Sequence, residues 1–200
     1  MKRETSQKSN GDAIPHISRR SEQFQAFGTV VEMPNGLGRD VCKSSVTSLN
    51  ALLADTITMR DLYKKHHWQV AGPTFYQLHL MFDKHSEAQA ELVDAIAERI
   101  QLLGGVSVAM APDVAGMTRI ETPPSGREPV PIQLSRLVEA HEIILKAAHQ
   151  AAEATSENGD HGTNDLVVSK LIPANEFQLW FISQHLVDTP LTETTHRPVA

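Results

Sequence analysis

The sequence predicts an all-α four-helix bundle with one long crossover, on three observations. Aromatic residues make up only 5% of the 200-residue chain while Leu and Ala are common, a balance that favours helices over an aromatic-rich β sandwich. Apolar residues recur at helical spacing in four long segments, with no strand-rich block and no internal repeat. Gly and Pro clusters mark the breaks between the segments, as turn punctuation should.

Residues 1–40 read as a flexible N-terminal tail, because Met1 to Arg20 carries too few apolar side chains to offset the entropy of ordering. Gly28, Pro34, Gly36 and Gly38 punctuate its second half. The folded domain is expected over 41–191, with 192–200 as a C-terminal tail. The first helix takes its periodicity from about Ser45, with Val46, Leu49, Leu53 and Ile57 on one stripe, and Gly72-Pro73 stops it after about Val70. Thr74 and Gln77 have capping-box spacing for a second helix. Its stripe is Leu78, Phe82, Leu92, Ile96, Ile100 and Leu103, and Gly104-Gly105 ends it.

Residues 106–130 form the crossover, broken by Pro112, Pro123, Pro124 and Pro129, with one short helix over Ala111 to Met117. The third helix carries Leu134, Leu137, Val138, Ile144, Leu145 and Ala148 and ends by Asn158-Gly159. The fourth begins near Asp160 and holds Leu166, Leu171, Phe177, Trp180 and Phe181, with Pro173 expected to kink it or remove a hydrogen bond.

Composition bounds the function. A length of 200 residues with 40% hydrophobic content fits one domain with a real core. The single Cys42 supplies neither a disulfide nor a Cys-rich zinc site, and reads as an idle thiol of a reducing cytoplasm. No apolar run reaches the roughly 18 residues of a membrane span, and the N-terminus lacks the apolar stretch of a signal peptide. A formal charge of −6 excludes a chain that is basic throughout, though not a local basic arm.

The chemistry lies between His67 and Glu98. His79 and Asp83 are four residues apart and share a helix face, as do Asp94 and Glu98. Fifteen residues separate one pair from the other, so they lie about 22 Å apart along one helix and about 60° around it. One helix cannot bring both to a single metal. Two antiparallel copies can: a two-fold axis near residues 88 and 89 sets His79 and Asp83 of one chain opposite Asp94 and Glu98 of the other. His67 folds back from the first helix onto its own chain's site. Imidazole and carboxylate without thiolate suit non-haem iron, manganese or zinc, and Zn(II) competes at any such site. Read on spacing alone, the pairs are equally consistent with solvated faces of an amphipathic helix. His66 faces about 100° away from His67, and His66 and His85 are read as non-ligands. His141, His149 and His185 lack acidic partners at the right spacing.

The stretch His67-Trp68-Gln69-Val70-Ala71-Gly72-Pro73-Thr74-Phe75, then Leu78-His79, Phe82-Asp83 and Asp94-Ala95-Ile96-Ala97-Glu98-Arg99, resembles the Dps family of DNA-protection-during-starvation proteins, the small ferritins of bacteria and archaea. The resemblance runs from about Leu49 to Leu191 and includes Leu53-Ala54-Asp55-Thr56, Gly162-Thr163-Asn164-Asp165-Leu166 and Trp180-Phe181. It implies a ferritin-like bundle assembled as a hollow dodecamer, with a ferroxidase centre at a two-fold interface. His67, His79 and Asp83 would come from one subunit and Asp94 and Glu98 from its partner. The implied substrate is iron, Fe(II) oxidised to Fe(III) with hydrogen peroxide or oxygen, with zinc as a competing ion.

Trp68 would be an electron reservoir by resemblance, or a half-buried packing residue by chemistry. Asp160 and Asp165 would line the iron pores by resemblance, or simply favour a helix N-terminus. The usual acid one turn later is here Ser169.

Lys2, Arg3, Lys8, Arg19 and Arg20 outnumber Glu4 and Asp12 in the first twenty residues. They form a candidate arm for DNA phosphates, the alternative being a solubilising tail. The expected location is the cytoplasm, with nucleoid association if that arm binds DNA. The competing function is a non-specific DNA-binding nucleoid protein with a weak or vestigial iron site. A larger ferritin with Glu-x-x-His pairs inside one bundle is disfavoured, because the only such spacing is Glu193 to His196 in the terminal tail.

Overall fold

The computed structural model describes residues 22–188, and among these every regular element is helical. Helix α1 spans Arg39–Gln69, α2 Phe75–Leu102, α3 Ala111–Met117, α4 Val130–Glu157, α5 His161–Leu166 and α6 Ile172–Gln184, with a π turn at Val167–Leu171 between the last two. α1 packs along α2 and across α4. α4 packs on α6, and α5 with the π turn closes the corner against α4. Four long rods result, the fourth being the composite α5–π–α6, and α3 rides on the crossover beside α1.

Local chemistry explains the boundaries. α1 starts at Arg39, ahead of the apolar stripe, because Gly38 leaves the helix in extended backbone and Asp40 sits in the first turn, where negative charge complements the dipole. It stops at Val70, and Gly72 turns the chain at φ 108°. The Thr74–Gln77 capping box does not form. Thr74 has φ −96° and ψ 13° and its hydroxyl makes no capping bond, since an N-cap side chain reaches back only from extended backbone. Beyond α2, Gly104 has φ 79° and its Cα faces the carbonyl of Val31 so closely that a Cβ would collide.

That contact belongs to residues 22–38, which were expected in the tail. Val31 N–H donates to the Gly104 carbonyl at 2.9 Å, Gln25 Nε2 donates to the same carbonyl at 2.9 Å, and Val30 is buried.

Pro173 stands in the first turn of α6, directly after the π turn. The chain widens into the π turn, where Ile172 N–H reaches the Val167 carbonyl five residues back, and the turn absorbs the proline's missing donor and its ring. The core has two parts. One joins Leu49, Leu53, Ile96 and Ile100 to Ala148, Val167 and Leu171. The other joins Tyr63, Phe82, Leu134, Leu137, Ile144 and Ile182. Truncating a fully buried Leu such as Leu53 or Leu137 to Ala costs about 2–5 kcal/mol. Phe177, Trp180 and Phe181 depart from the apolar stripe expected of them. They form an exposed cluster with ring centroids 4.5–6.2 Å apart.

Candidate metal centre

The turn between α1 and α2 holds only residues 70–74, so the last turn of α1 lies beside the first turns of α2. This places His67 against His79, with ring centroids 3.8 Å apart and planes 19° from parallel. His67 Nδ1 is 2.8 Å from the His79 carbonyl, and His79 Nδ1 is 2.9 Å from the His67 carbonyl. A carbonyl only accepts, so each Nδ1 carries a proton, and in the neutral ring that leaves the lone pair on Nε2. Metal-bound histidines are commonly fixed this way, by the nitrogen that does not bind. Phe75 stacks on the outer side of His79 at 5.0 Å.

Asp83 lies one turn beyond His79, with Oδ1 4.0 Å from His67 Nδ1. The same oxygen accepts a hydrogen bond from the Lys64 ammonium. That bond is the largest cause that holds the Asp83 carboxyl below its ordinary pKa; desolvation opposes it and the charge of Lys64 adds to it. Lys64 was not anticipated. Its spacing, three residues before His67, was the available signal, since such residues share a helix face.

His66 points the other way, as its position beside His67 requires. Its ring is fully buried against Phe82 at 6.2 Å, and neither nitrogen has a hydrogen-bond partner among the described residues. Burial pushes its pKa down to about 4. Trp68 is 69% exposed on the single chain.

Asp94 and Glu98 are exposed on α2, without a hydrogen bond or ion pair among the described residues. α2 runs unbroken from Phe75 to Leu102, so the separation of about 22 Å between the pairs holds. The structure thus gathers His67, His79 and Asp83 and leaves Asp94 and Glu98 apart. Among the described residues of one chain, no three His, Cys, Asp or Glu side chains are placed to hold a metal ion.

Asp160 is turned into the fold of its own chain. It is fully buried, accepts from the Thr163 N–H at 3.1 Å and its hydroxyl at 2.6 Å, and pairs with Arg99 at 2.5 Å. It is the N-cap of α5, and Asp followed by Thr at this spacing before a helix is the sequence signal of that role. Burial alone, the largest single effect, raises its pKa, but these bonds and the charge of Arg99 hold its carboxyl below the usual value. Asp165 is exposed and accepts from Ser169 at 2.7 Å. Lys2, Arg3, Lys8, Arg19 and Arg20 lie outside the described residues.

A helical bundle carrying imidazole and carboxylate half-sites is the architecture of ferritin-like proteins, and residues 46–192 match the ferritin-like domain family. DpsC from Streptomyces coelicolor superposes with a TM-score of 0.85 at 53% identity, over 86% of this chain and 100% of that one. The DNA protection during starvation protein of Halobacterium salinarum is 30% identical over 133 residues, 66% of this chain and 73% of the relative. A protein of Kitasatospora aureofaciens without an assigned function is 48% identical over 146 residues, 73% of this chain and 97% of the relative. The chain belongs to the Dps family.

Proposed function

We propose that this protein oxidises Fe(II) with hydrogen peroxide, or with oxygen, at a site shared between two subunits of a hollow dodecamer. It stores the ferric product and so protects DNA from oxidative damage. The observation that carries this reading is the pair of half-sites on one unbroken helix. Among the described residues, His67 and His79 have their Nε2 atoms free beside Asp83, and Asp94 and Glu98 stand unpartnered about 22 Å along α2. A two-fold axis near residues 88 and 89 brings the two halves together twice.

The donors suit the reaction. Neutral imidazoles hold Fe(II), and carboxylates stabilise the greater charge of Fe(III). Two Fe(II) give two electrons to one peroxide, whose O–O bond breaks to give two waters after uptake of two protons. Removing both reagents suppresses hydroxyl-radical formation. Zn(II) competes for the same donors. Asp165 is the remaining candidate for the iron pore, and Trp68 for an exposed electron reservoir.

The test is anaerobic Fe(II) loading followed by peroxide, with ferric absorbance as the readout, beside an Asp94→Ala/Glu98→Ala variant of matched oligomeric size. Fast oxidation in the parent, lost in the variant, is expected. Equal slow rates in both reject the shared site.

The second reading is non-specific DNA binding through Lys2, Arg3, Lys8, Arg19 and Arg20, with the protein in the cytoplasm and associated with the nucleoid. Five cations against two acids in the first twenty residues favour it, as does the family's DNA protection. Twelve arms would act by avidity with steep salt dependence. Removing residues 1–20 should abolish DNA retardation at low salt and leave iron oxidation intact, whereas retained retardation rejects the arm.

A further inference from the structure

We infer that Tyr63 is an internal one-electron donor to the iron site and passes its phenolic proton to His141 as it is oxidised. The inference rests on the iron-oxidising reading above.

The hydrogen-bond directions follow from one fixed point. Asn175 Nδ2 donates to the Leu171 carbonyl at 2.8 Å, so its Oδ1 is turned inward as an acceptor. His141 Nδ1 lies 2.9 Å from that oxygen and must carry the proton. His141 Nε2 therefore keeps its lone pair, and Tyr63 Oη, 2.6 Å away, donates to it. The phenol's one proton is then committed, so His85 Nδ1 at 3.2 Å donates to the phenolic oxygen. Gln89 Nε2 ties the array to Asn175 Oδ1 at 3.2 Å and to Gln178 Oε1 at 2.9 Å. All six side chains are buried, Tyr63, Gln89, His141 and Asn175 completely.

This arrangement is more specific than core packing requires. A phenol that gives its proton to a waiting base as the electron leaves avoids the high-energy phenol radical cation. The base is present and neutral, since burial holds the His141 pKa down at about 3. A second donor, His85, stays on the oxygen to stabilise the phenoxyl. Burial pushes the Tyr63 pKa well above the usual value, so the phenol keeps its proton until oxidation moves it. Tyr63 lies one helical turn before His67, about 6 Å along α1. Its ring is 6.1 Å from that of Phe82, the neighbour of Asp83.

The donor matters when only one Fe(II) is bound. One Fe(II) supplies one electron to peroxide, and the half-reduced product is hydroxyl radical. With Tyr63 the step closes: Fe(II), Tyr63–OH, His141, H2O2 and two protons give Fe(III), the Tyr63 phenoxyl radical, protonated His141 and two waters. The O–O bond and the phenolic O–H bond break, and an N–H bond forms at His141 Nε2. Iron and tyrosine are each oxidised by one electron and peroxide is reduced by two. A later Fe(II) re-reduces the radical as the proton returns.

The chain has two tyrosines, Tyr63 and the exposed Tyr76, so Tyr76→Phe leaves Tyr63 as the only possible tyrosyl centre. Assembled Tyr76→Phe protein is loaded anaerobically with one Fe(II) per site, mixed with peroxide and freeze-quenched for electron paramagnetic resonance, while ferric absorbance is followed in parallel. The expected result is a tyrosyl radical with a hydrogen-bonded g tensor, whose spin yield falls at least tenfold in Tyr63→Phe. In His141→Leu its g values should move toward an unbonded phenoxyl. Ferric formation without a tyrosyl radical in Tyr76→Phe overturns the inference and leaves the iron-oxidising reading standing. No ferric formation at all overturns both.

Discussion

Lys64 on α1 donates to the carboxylate of Asp83 on α2, so a proposed metal ligand already carries a cation of the protein's own. Any metal ion that takes this oxygen must displace the ammonium. Lys64→Met removes the competitor and retains the apolar stem. Both side chains are 37% exposed, so solvent weakens their attraction and the gain is modest. Fe(II) or Zn(II) affinity should rise by about two- to five-fold, measured by anaerobic titration calorimetry. The Asp83 carboxyl pKa should return toward its ordinary value in the same variant. Unchanged or weaker metal binding would mean that Lys64 does not compete.

The proposed shared site makes a stoichiometric prediction for mixed assemblies. His79→Ala and Glu98→Ala subunits should each be inactive alone. Co-assembled in equal amounts, about half of the dimers are mixed, and each mixed dimer contains one intact site of two. Initial ferric formation should therefore recover to about a quarter of the parental rate. A site formed within one chain predicts no recovery.

Three buried histidines give the protein an acid limit. Burial lowers the pKa of His66 and His85 to about 4 and that of His141 to about 3, against about 6.5 in an unfolded chain. Between those values the unfolded chain binds more protons than the folded one, so stability falls as pH is lowered through this window. Each histidine contributes at most about 1.4 kcal/mol per pH unit. Denaturant midpoints should be level above pH 7 and drop steeply from pH 6 to pH 4.5. In His141→Asn the slope should fall by about a third.

Asp160 and Asp165 should separate cleanly. Asp160→Ala removes the α5 cap, worth about 1–2 kcal/mol, and strips Arg99 of its partner. Thermal unfolding should therefore shift down. Asp165→Asn should leave stability within about 0.5 kcal/mol, as surface changes do, and should slow iron uptake if the exposed acid guides it. A stability loss confined to Asp165→Asn would reverse these assignments.

Much of the bundle was legible because its signals are local. Gly72-Pro73, Gly104-Gly105 and Asn158-Gly159 stop helices wherever they occur, and the apolar stripes set the elements between them. The separation of the two proposed ligand pairs was legible because fifteen residues on one helix fix a distance.

Features that depend on packing were not. Whether Thr74 caps α2 turns on a backbone angle set by the preceding turn. Asp160 shows alike as pore acid or buried cap until Arg99, sixty-one residues earlier, is placed beside it. The Tyr63–His141 bond joins residues seventy-eight apart. Pattern reading sees each as a polar interruption of an apolar stripe, with no indication that the interruptions meet.

The π turn at Val167–Leu171 also sets rotational phase. An α-helix advances about 100° per residue, and the π turn stores one residue of that rotation without breaking the rod. Winding the same residues as ordinary α-helix, with no wide turn to take up the extra one, would swing everything downstream by about 100°. Asn175 and Gln178 would then leave the interior, and Phe177 and Phe181 would change azimuth with them. The wide turn thus indexes all of α6 against the other three rods, and both the polar array and the exposed aromatic face depend on that setting.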